Sequence, residues 1–295
     1  MIRKSRIAYA LAGLALFAGM QAEACTTSQW GVGLTGGAGG AQAAIGGVVA
    51  GQPNGLGGGT ATRYSGLCGL RASGVGQYVQ DGTPTAEGTY IARFYVFTGV
   101  TSGTPVVFSS MEGAPEDLSP VRVYSVQYNR TNQQFEAVNQ AGTVTAIGAA
   151  SSALANKWFH VHLTWDRTAG SLDVSVQGAG SSTPNATASL SGFTSSGGAA
   201  GPDFAQLGWI SGAAAGRIDV DAFESRRSTA IPPLCRGNAN ASDETRNILD
   251  AIAVFNEINA VSLATGQPDT NEDGAVNILD AIALFTIINS ASPGC

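Results

Sequence analysis

From about residue 69 the chain alternates apolar and polar side chains with period two. Thr89–Phe97 (TYIARFYVF), Val121–Tyr128, Trp158–Trp165, Leu172–Val176 and Arg217–Phe223 are rich in aromatic and β-branched residues. Tracts rich in Gly, Asn, Ser and Thr separate them, at 99–103, 129–132, 166–170 and 191–201. Alternation of this kind turns one face of each strand into a core and the other outward. Short strands separated by turns, with no helical period between them, predict an all-β sandwich. Near residue 247 the period changes. NILDAIAVFNEIN (247–259) and NILDAIALFTIIN (277–289) agree at ten of 13 positions, 30 residues apart. Ile248, Ile252 and Phe255 in one copy, and Ile278, Ile282 and Phe285 in the other, recur at i, i+4 and i+7. Each copy is predicted to be an amphipathic helix, and the pair to be an internal duplication.

The N-terminus has a different pattern. Arg3, Lys4 and Arg6 precede an apolar run from Ala8 to Met20, and Ala22-Glu23-Ala24 ends it with small residues at −3 and −1. This is the form of a secretory signal over residues 1–24; the run is short of the roughly 20 residues a membrane span needs. The mature chain is therefore expected outside the inner membrane, secreted, periplasmic or associated with the cell surface. Its cysteines are Cys25, Cys68, Cys235 and Cys295. An even number in an exported chain predicts disulfides. Three pairings are possible, and the positions favour Cys25–Cys68 with Cys235–Cys295, because each pair then ties one region. Residues 25–64 are a glycine-rich lead-in, with thirteen Gly among residues 31–60 and room for one weak strand. The predicted division is a sandwich at 65–228, a linker at 229–234 containing Pro232-Pro233, which continues neither strand nor helix, and a C-terminal module at 235–295.

Charge separates the two modules. The chain carries 21 acidic and 15 basic residues and only two His. That excess argues against nucleic acid, whose phosphates need a basic face. Residues 235–295 hold Arg236 and Arg246 against eight acids, a concentration that calls for a cation or a cationic partner. Asp269-Thr270-Asn271-Glu272-Asp273-Gly274-Ala275-Val276-Asn277-Ile278-Leu279-Asp280 supplies a candidate. Oxygen side chains fall at positions 1, 3, 5, 9 and 12 (Asp269, Asn271, Asp273, Asn277, Asp280). Gly274 is at the turning position 6, and Ala275 offers a carbonyl at position 7. That is the spacing of an EF-hand-type calcium loop. In the first copy, counting back from Asp250 in strict register leaves Asp243, Asn247 and Asp250 as ligands, with Ala239 and Ala241 at positions 1 and 3. One extra residue would instead recover Asn238 and Asn240.

Loop, helix, linker, loop, helix over 235–295, with Asp at position 12 and Asn at position 9, closely resembles a type I dockerin. The resemblance implies a small all-α paired module that binds calcium and attaches to a cohesin-like partner. Cys235 and Cys295 would then clamp its ends, a closure worth about 4 kcal/mol by loop-entropy reasoning. Cellulosomal dockerins carry Ser/Thr at positions 10 and 11. Here those positions are Ile248-Leu249 and Ile278-Leu279, so the expected contact face is apolar. Its occupant is a cohesin-like protein of another type, or the chain itself through intramolecular docking.

The sandwich also carries a resemblance. Lys157 to Asp166 (KWFHVHLTWD), then Gly170 to Val176 (GSLDVSV), resembles the hairpin of laminin-G-like, concanavalin-type jelly rolls, and Leu207-Gly208-Trp209 with Gly216 to Asp221 looks like their closing strand. Such folds serve as lectins, adhesion modules and glycosidases alike, so fold does not fix function. His160 and His162 share one face of a strand; a half-exposed polar face is favoured over a sugar or metal contact. Asp219-Val220-Asp221-Ala222-Phe223-Glu224 resembles the Glu-x-Asp-x-x-Glu of retaining glucanases, but Asp219 is one methylene short at the nucleophile position. The reading is a mainly β, non-catalytic recognition or display domain carried by a calcium module. A polysaccharide hydrolase delivered by its dockerin, or a matrix or adhesion protein, is the alternative, and a glycan is a possible ligand.

Overall fold

The computed structural model describes residues 49–51, 63–66, 69–113, 120–151, 154–178, 184–195, 201–243 and 245–290. The predicted signal at 1–24, with Cys25, Cys68 and Cys295, lies outside the described residues.

Among the described residues, fifteen strands and two helices follow in chain order. Seven strands form one sheet: β1 (Val49–Gly51), β2 (Gly69–Ala72), β15 (Ile218–Arg226), β4 (Thr89–Phe97), β10 (Trp158–Asp166), β11 (Ser171–Gly178) and β12 (Ala186–Ser191), in that spatial order. Six form the facing sheet: β3 (Gln77–Asp81), β13 (Phe204–Ser211), β6 (Val106–Glu112), β7 (Val121–Asn129), β8 (Gln134–Asn139) and β9 (Val144–Ile147). A two-stranded ribbon joins β5 (Val100–Gly103) to β14 (Ala214–Gly216). Every pairing is antiparallel. This is a mainly β sandwich. The glycine-rich lead-in contributes its edge strand β1, and among the described residues no helix interrupts its strands.

Alternation decides what each face buries. On β10, Phe159, Val161, Leu163 and Trp165 enter the core between the sheets, with Tyr90, Phe94 and Val96 of β4 and Tyr124, Val126 and Phe135 from the facing sheet. The Trp165 indole N–H donates to the Phe193 carbonyl at 2.7 Å, so its one polar atom is paired. Of the closing strand, Ile218 and Val220 point inward. The outer face of the seven-stranded sheet is also largely covered. Tyr64, Tyr95, Phe97 and Trp158 form a second aromatic cluster there, joined by Ala222 and Leu234.

The predicted linker is part of that cover rather than a free stalk. Arg93 donates to the Pro232 carbonyl at 2.9 Å. Leu234 N–H donates to the Tyr95 hydroxyl at 2.7 Å, and Ile231 N–H reaches His162 Nε2 at 3.4 Å. Ile231 itself is buried. The strap lies across β4 and β10.

The C-terminal module has its own small core of Ala239, Ala251, Val254, Ala264, Val276, Ala281 and Leu284, flanked by Phe255, Ile258, Phe285 and Ile288. Its helices are α1 (Ile248–Ile258) and α2 (Ile278–Ile288). Ile248, Ile252, Ile278 and Ile282 of the periodic stripe are about half exposed. The buried stripe is instead Ala251 and Val254 in one helix and Ala281 and Leu284 in the other. Alanine at the contact lets two short helices approach closely, while both faces carry aliphatic side chains, so periodicity alone does not identify the inner one.

Candidate functional site

Loop two, residues 269–280, is organised by its own side chains. Asp269 accepts N–H bonds from Asp273 at 3.1 Å and Gly274 at 2.8 Å. Asn271 Oδ1 accepts from Asp273 N–H at 2.9 Å, and Asp273 accepts from Ala275 N–H at 2.9 Å. Asp280 reaches back from the first turn of α2 to take the N–H groups of Asn271 and Asn277, at 3.0 and 2.8 Å. Asn277 caps the helix, and with Asp280 it completes a capping box. Gly274 takes φ +84°, a left-handed turn that a side chain would strain. Six oxygen-bearing positions are thus folded into one short loop.

Two of these carboxylates, Asp269 and Asp280, are almost fully buried. Burial pushes the Asp269 carboxyl well up, and the Asp280 charge adds to this. Burial likewise raises Asp280 to about 6, against N–H bonds from Asn271 and Asn277 that lower it. Two like charges held out of water in one loop are costly unless a cation accompanies them. Carboxylate, amide and carbonyl oxygens are the donor set of a hard cation, so these residues fit calcium. Among the described residues, no group of three or more His, Cys, Asp or Glu side chains is clustered as a metal site. Asp273 is turned onto the Ala275 N–H.

Loop one repeats these bonds one residue longer. Asn240 N–H donates to Asp250 Oδ1 at 3.0 Å, ten positions away, where Asn271 reaches Asp280 across nine. Asp250 Oδ2 takes the Asn247 N–H at 2.8 Å, and Asp243 takes the Thr245 N–H at 2.8 Å. Asn238 Oδ1 accepts from Ala241 N–H at 3.0 Å. The strict register is therefore corrected. Ala239 is fully buried in the module core and offers no side-chain oxygen, while Asn238 and Asn240 stand where Asp269 and Asn271 stand in loop two. Asp243, Asn247 and Asp250 keep the places expected of them. The signal for the extra residue was the Asn-x-Asn spacing itself, which matches Asp-x-Asn in loop two. Loop one thus holds two carboxylates to loop two's three.

The apolar pairs are where the resemblance expects a contact face. Ile248 and Leu249 are 55% and 54% exposed, and Ile278 and Leu279 are 52% and 55% exposed. The module's seating on the sandwich does not use them. Cys235 is disulfide-bonded; its partner lies outside the described residues.

On the sandwich, Asp219, Asp221 and Glu224 share the outer face of β15, and a register shift between Asp221 and Glu224 bulges the strand there. None of the three carboxylates is idle. Asp219, fully buried, pairs with Arg71 at 2.7 Å and Arg217 at 3.1 Å. Asp221 accepts the N–H groups of Tyr64, Ser65 and Ala222 at 2.6, 2.9 and 2.6 Å. Burial raises it to about 6 in spite of them. Glu224 bridges Arg93 at 3.2 Å and Arg226 at 2.7 Å. Asp219 and Asp221 point outward from the sheet yet are buried, because residues 63–66 and the strap lie over this face. His160 is likewise buried rather than half exposed, with no hydrogen-bond partner on either ring nitrogen among the described residues. Burial lowers it to about 3, with His162 and Arg93 adding to the effect. His162 alone of the two faces an open depression of about 350 Å³, which it lines with Asp173, Ser175, Thr187 and Ser189.

No family model matches the chain, and no curated protein does. Partial likenesses exist among solved structures. A Trypanosoma rangeli sialidase in complex with the inhibitor DANA aligns over 59% of this chain and 27% of its own, at 19% identity and TM-score 0.39; the chain thus spans well under two-thirds of that enzyme. The VIP36 exoplasmic/lumenal domain in its Ca2+/Man-bound form aligns over 56% of this chain and 80% of its own, at 8% identity and TM-score 0.36. An alginate lyase from Pseudomonas aeruginosa aligns over 54% and 83%, at 9% identity and TM-score 0.37. These superpositions assign no chemistry to this chain.

Proposed function

We propose that this is an exported attachment protein: a β-sandwich recognition or display domain joined to a calcium-bound, dockerin-like module that binds a cohesin-like partner. The observation that carries the reading is the symmetric exposure of Ile248-Leu249 and Ile278-Leu279, at equivalent places 30 residues apart. Aliphatic pairs left open in both copies of a duplication are costly in water unless a partner covers them. Calcium would be held by Asp269, Asn271, Asp273, Asn277, Asp280 and the Ala275 carbonyl. A weaker site would use Asn238, Asn240, Asp243, Asn247 and Asp250. When bound, the cation supplies the positive charge that lets buried carboxylates stay ionised. The chain's own residues hold both helix starts in place through their capping boxes.

A catalytic role for Asp219 and Glu224 finds no support, because each carboxylate is committed to arginines and Asp219 is fully buried. Glycan recognition has one observation in its favour, the open depression that His162, Asp173, Ser175, Thr187 and Ser189 line together with Val174 and Ala188.

The test is affinity capture from the exported proteome with the mature chain, in calcium and in chelator, with bound proteins identified by mass spectrometry. Wild type should retain a protein with a cohesin-like domain only in calcium. Ile278→Ser with Leu279→Thr should weaken that capture at least five-fold, more than about 1 kcal/mol, as truncation of a contact centre does. Capture that ignores both calcium and the double substitution would refute the reading.

A further inference from the structure

Loop two has a second side, turned toward the sandwich. Glu272, at position 4 of the loop, takes φ +60° and is nearly buried. Its carbonyl accepts the Trp158 N–H of β10 at 3.1 Å. Its carboxylate accepts the Tyr64 hydroxyl at 2.6 Å. Tyr64 is itself fixed, stacked on Tyr95 at 3.7 Å between ring centres and edge-on to Trp158 at 5.7 Å. Two residues on, a Cβ added to Gly274 would fall 2.5 Å from the Phe97 ring, so the loop backbone lies directly on that ring. Close by, Gly66 N–H donates to the Gly266 carbonyl at 3.2 Å, and buried Arg63 pairs with buried Glu257 of α1.

The positions that meet the sandwich alternate with those suited to a cation. Asp269, Asn271 and Asp273 bring oxygens to the inside of the loop, while Glu272 and Gly274 face Tyr64, Trp158 and Phe97. One backbone conformation serves both sides. We infer that the sandwich is a receptor for this calcium loop: cation binding by loop two and its seating on the Tyr64–Tyr95–Phe97–Trp158 cluster are a single coupled equilibrium. The inference rests on the calcium reading above. A cation that fixes Asp269 and Asp280 around the loop fixes the outward Glu272 carbonyl. A sandwich that holds Glu272 and Gly274 in their left-handed conformations prepays the ordering of the loop for the cation. Linkage makes the effect reciprocal: whatever factor docking adds to calcium affinity, calcium adds to docking. Ile248, Leu249, Ile278 and Leu279 remain exposed in the seated module, so a seated, loaded module still offers its apolar pairs to a partner.

The Trp158 amide reports seating directly, because its hydrogen bond goes to Glu272. In the mature wild-type chain, chelating calcium should speed exchange of this amide at least five-fold, while core amides of β7 keep their rates. Tyr64→Phe and Phe97→Leu, which alter the sandwich side and none of the calcium ligands, should each weaken calcium binding at loop two by about five-fold or more in calorimetry, the low end of ordinary coupling. Wild type that binds no calcium overturns the calcium reading and this inference with it. Wild type that binds calcium with an unchanged Trp158 exchange rate, and with unaltered affinity in Tyr64→Phe, leaves the calcium reading standing and overturns the coupling alone.

Discussion

Asp219 shows what a motif-like carboxylate does when its surroundings are filled. Arg71 and Arg217 neutralise it from two sides, and no water reaches it. Removing one partner of a buried pair leaves the others uncompensated, a loss of about 3 kcal/mol. Asp219→Ala should therefore lower the unfolding free energy measured by urea titration by that order, and a loss below about 1 kcal/mol would show the ion pairs to be incidental. His160 tests the strap that covers it. Its folded pKa of about 3 lies below the ordinary 6.5 because burial disfavours the cation. A depressed group keeps its full contribution above the unfolded value. That contribution is lost as pH falls from 6.5 through 3, since the unfolded chain takes up the proton first. Asp221 runs the other way: raised from 3.8 to about 6 by burial, it costs stability as pH rises through that window. Comparison with His160→Asn separates the two. Between pH 6.5 and 4, wild type should lose thermal stability relative to the variant, and parallel melting curves would place His160 in water.

Strands and helices were legible where pattern and propensity agreed. Thr89–Phe97 is a strand with the bounds its alternation marks, and both helices begin one residue after the asparagine that caps them. Val106–Glu112 was not legible, because VVFSSME buries Ser109 and Ser110 in mid-sheet and breaks the alternation; of Phe204–Ser211 only Leu207–Trp209 was marked, since Gln206 is buried among apolar neighbours. The inner face of each helix was not legible, because aliphatic residues occupy two faces. The strap was read as a free linker because its partners, Arg93, Tyr95 and His162, are some 70 to 140 residues away, beyond any local pattern. Within the module, the duplicated elements predict unequal sites. Loop two has three carboxylates and a Gly at its turn; loop one has two carboxylates and one residue more. Calcium affinity follows ligand charge and rigidity, so loop two should fill first. Circular dichroism during a calcium titration checks this: Asp280→Ala should abolish most of the calcium-induced helicity, and Asp250→Ala should leave a large part of it. Equal losses would make the loops equivalent.

At the scale of the whole molecule, the sandwich and the C-terminal module are joined by more than the chain between them. The strap along β4 and β10, the Arg63–Glu257 pair and the seating of loop two bury one side of the module, while the helix face bearing Ile248, Leu249, Ile278 and Leu279 stays open. In the function proposed above, calcium would compensate the buried Asp269 and Asp280 charges. The most direct measurement is calorimetric titration of calcium into the metal-stripped mature chain, wild type beside Asp280→Ala. Two sites of unequal affinity, the tighter one absent from Asp280→Ala, are the expected result. No heat of binding in wild type, or a tight site that survives Asp280→Ala, would contradict the account.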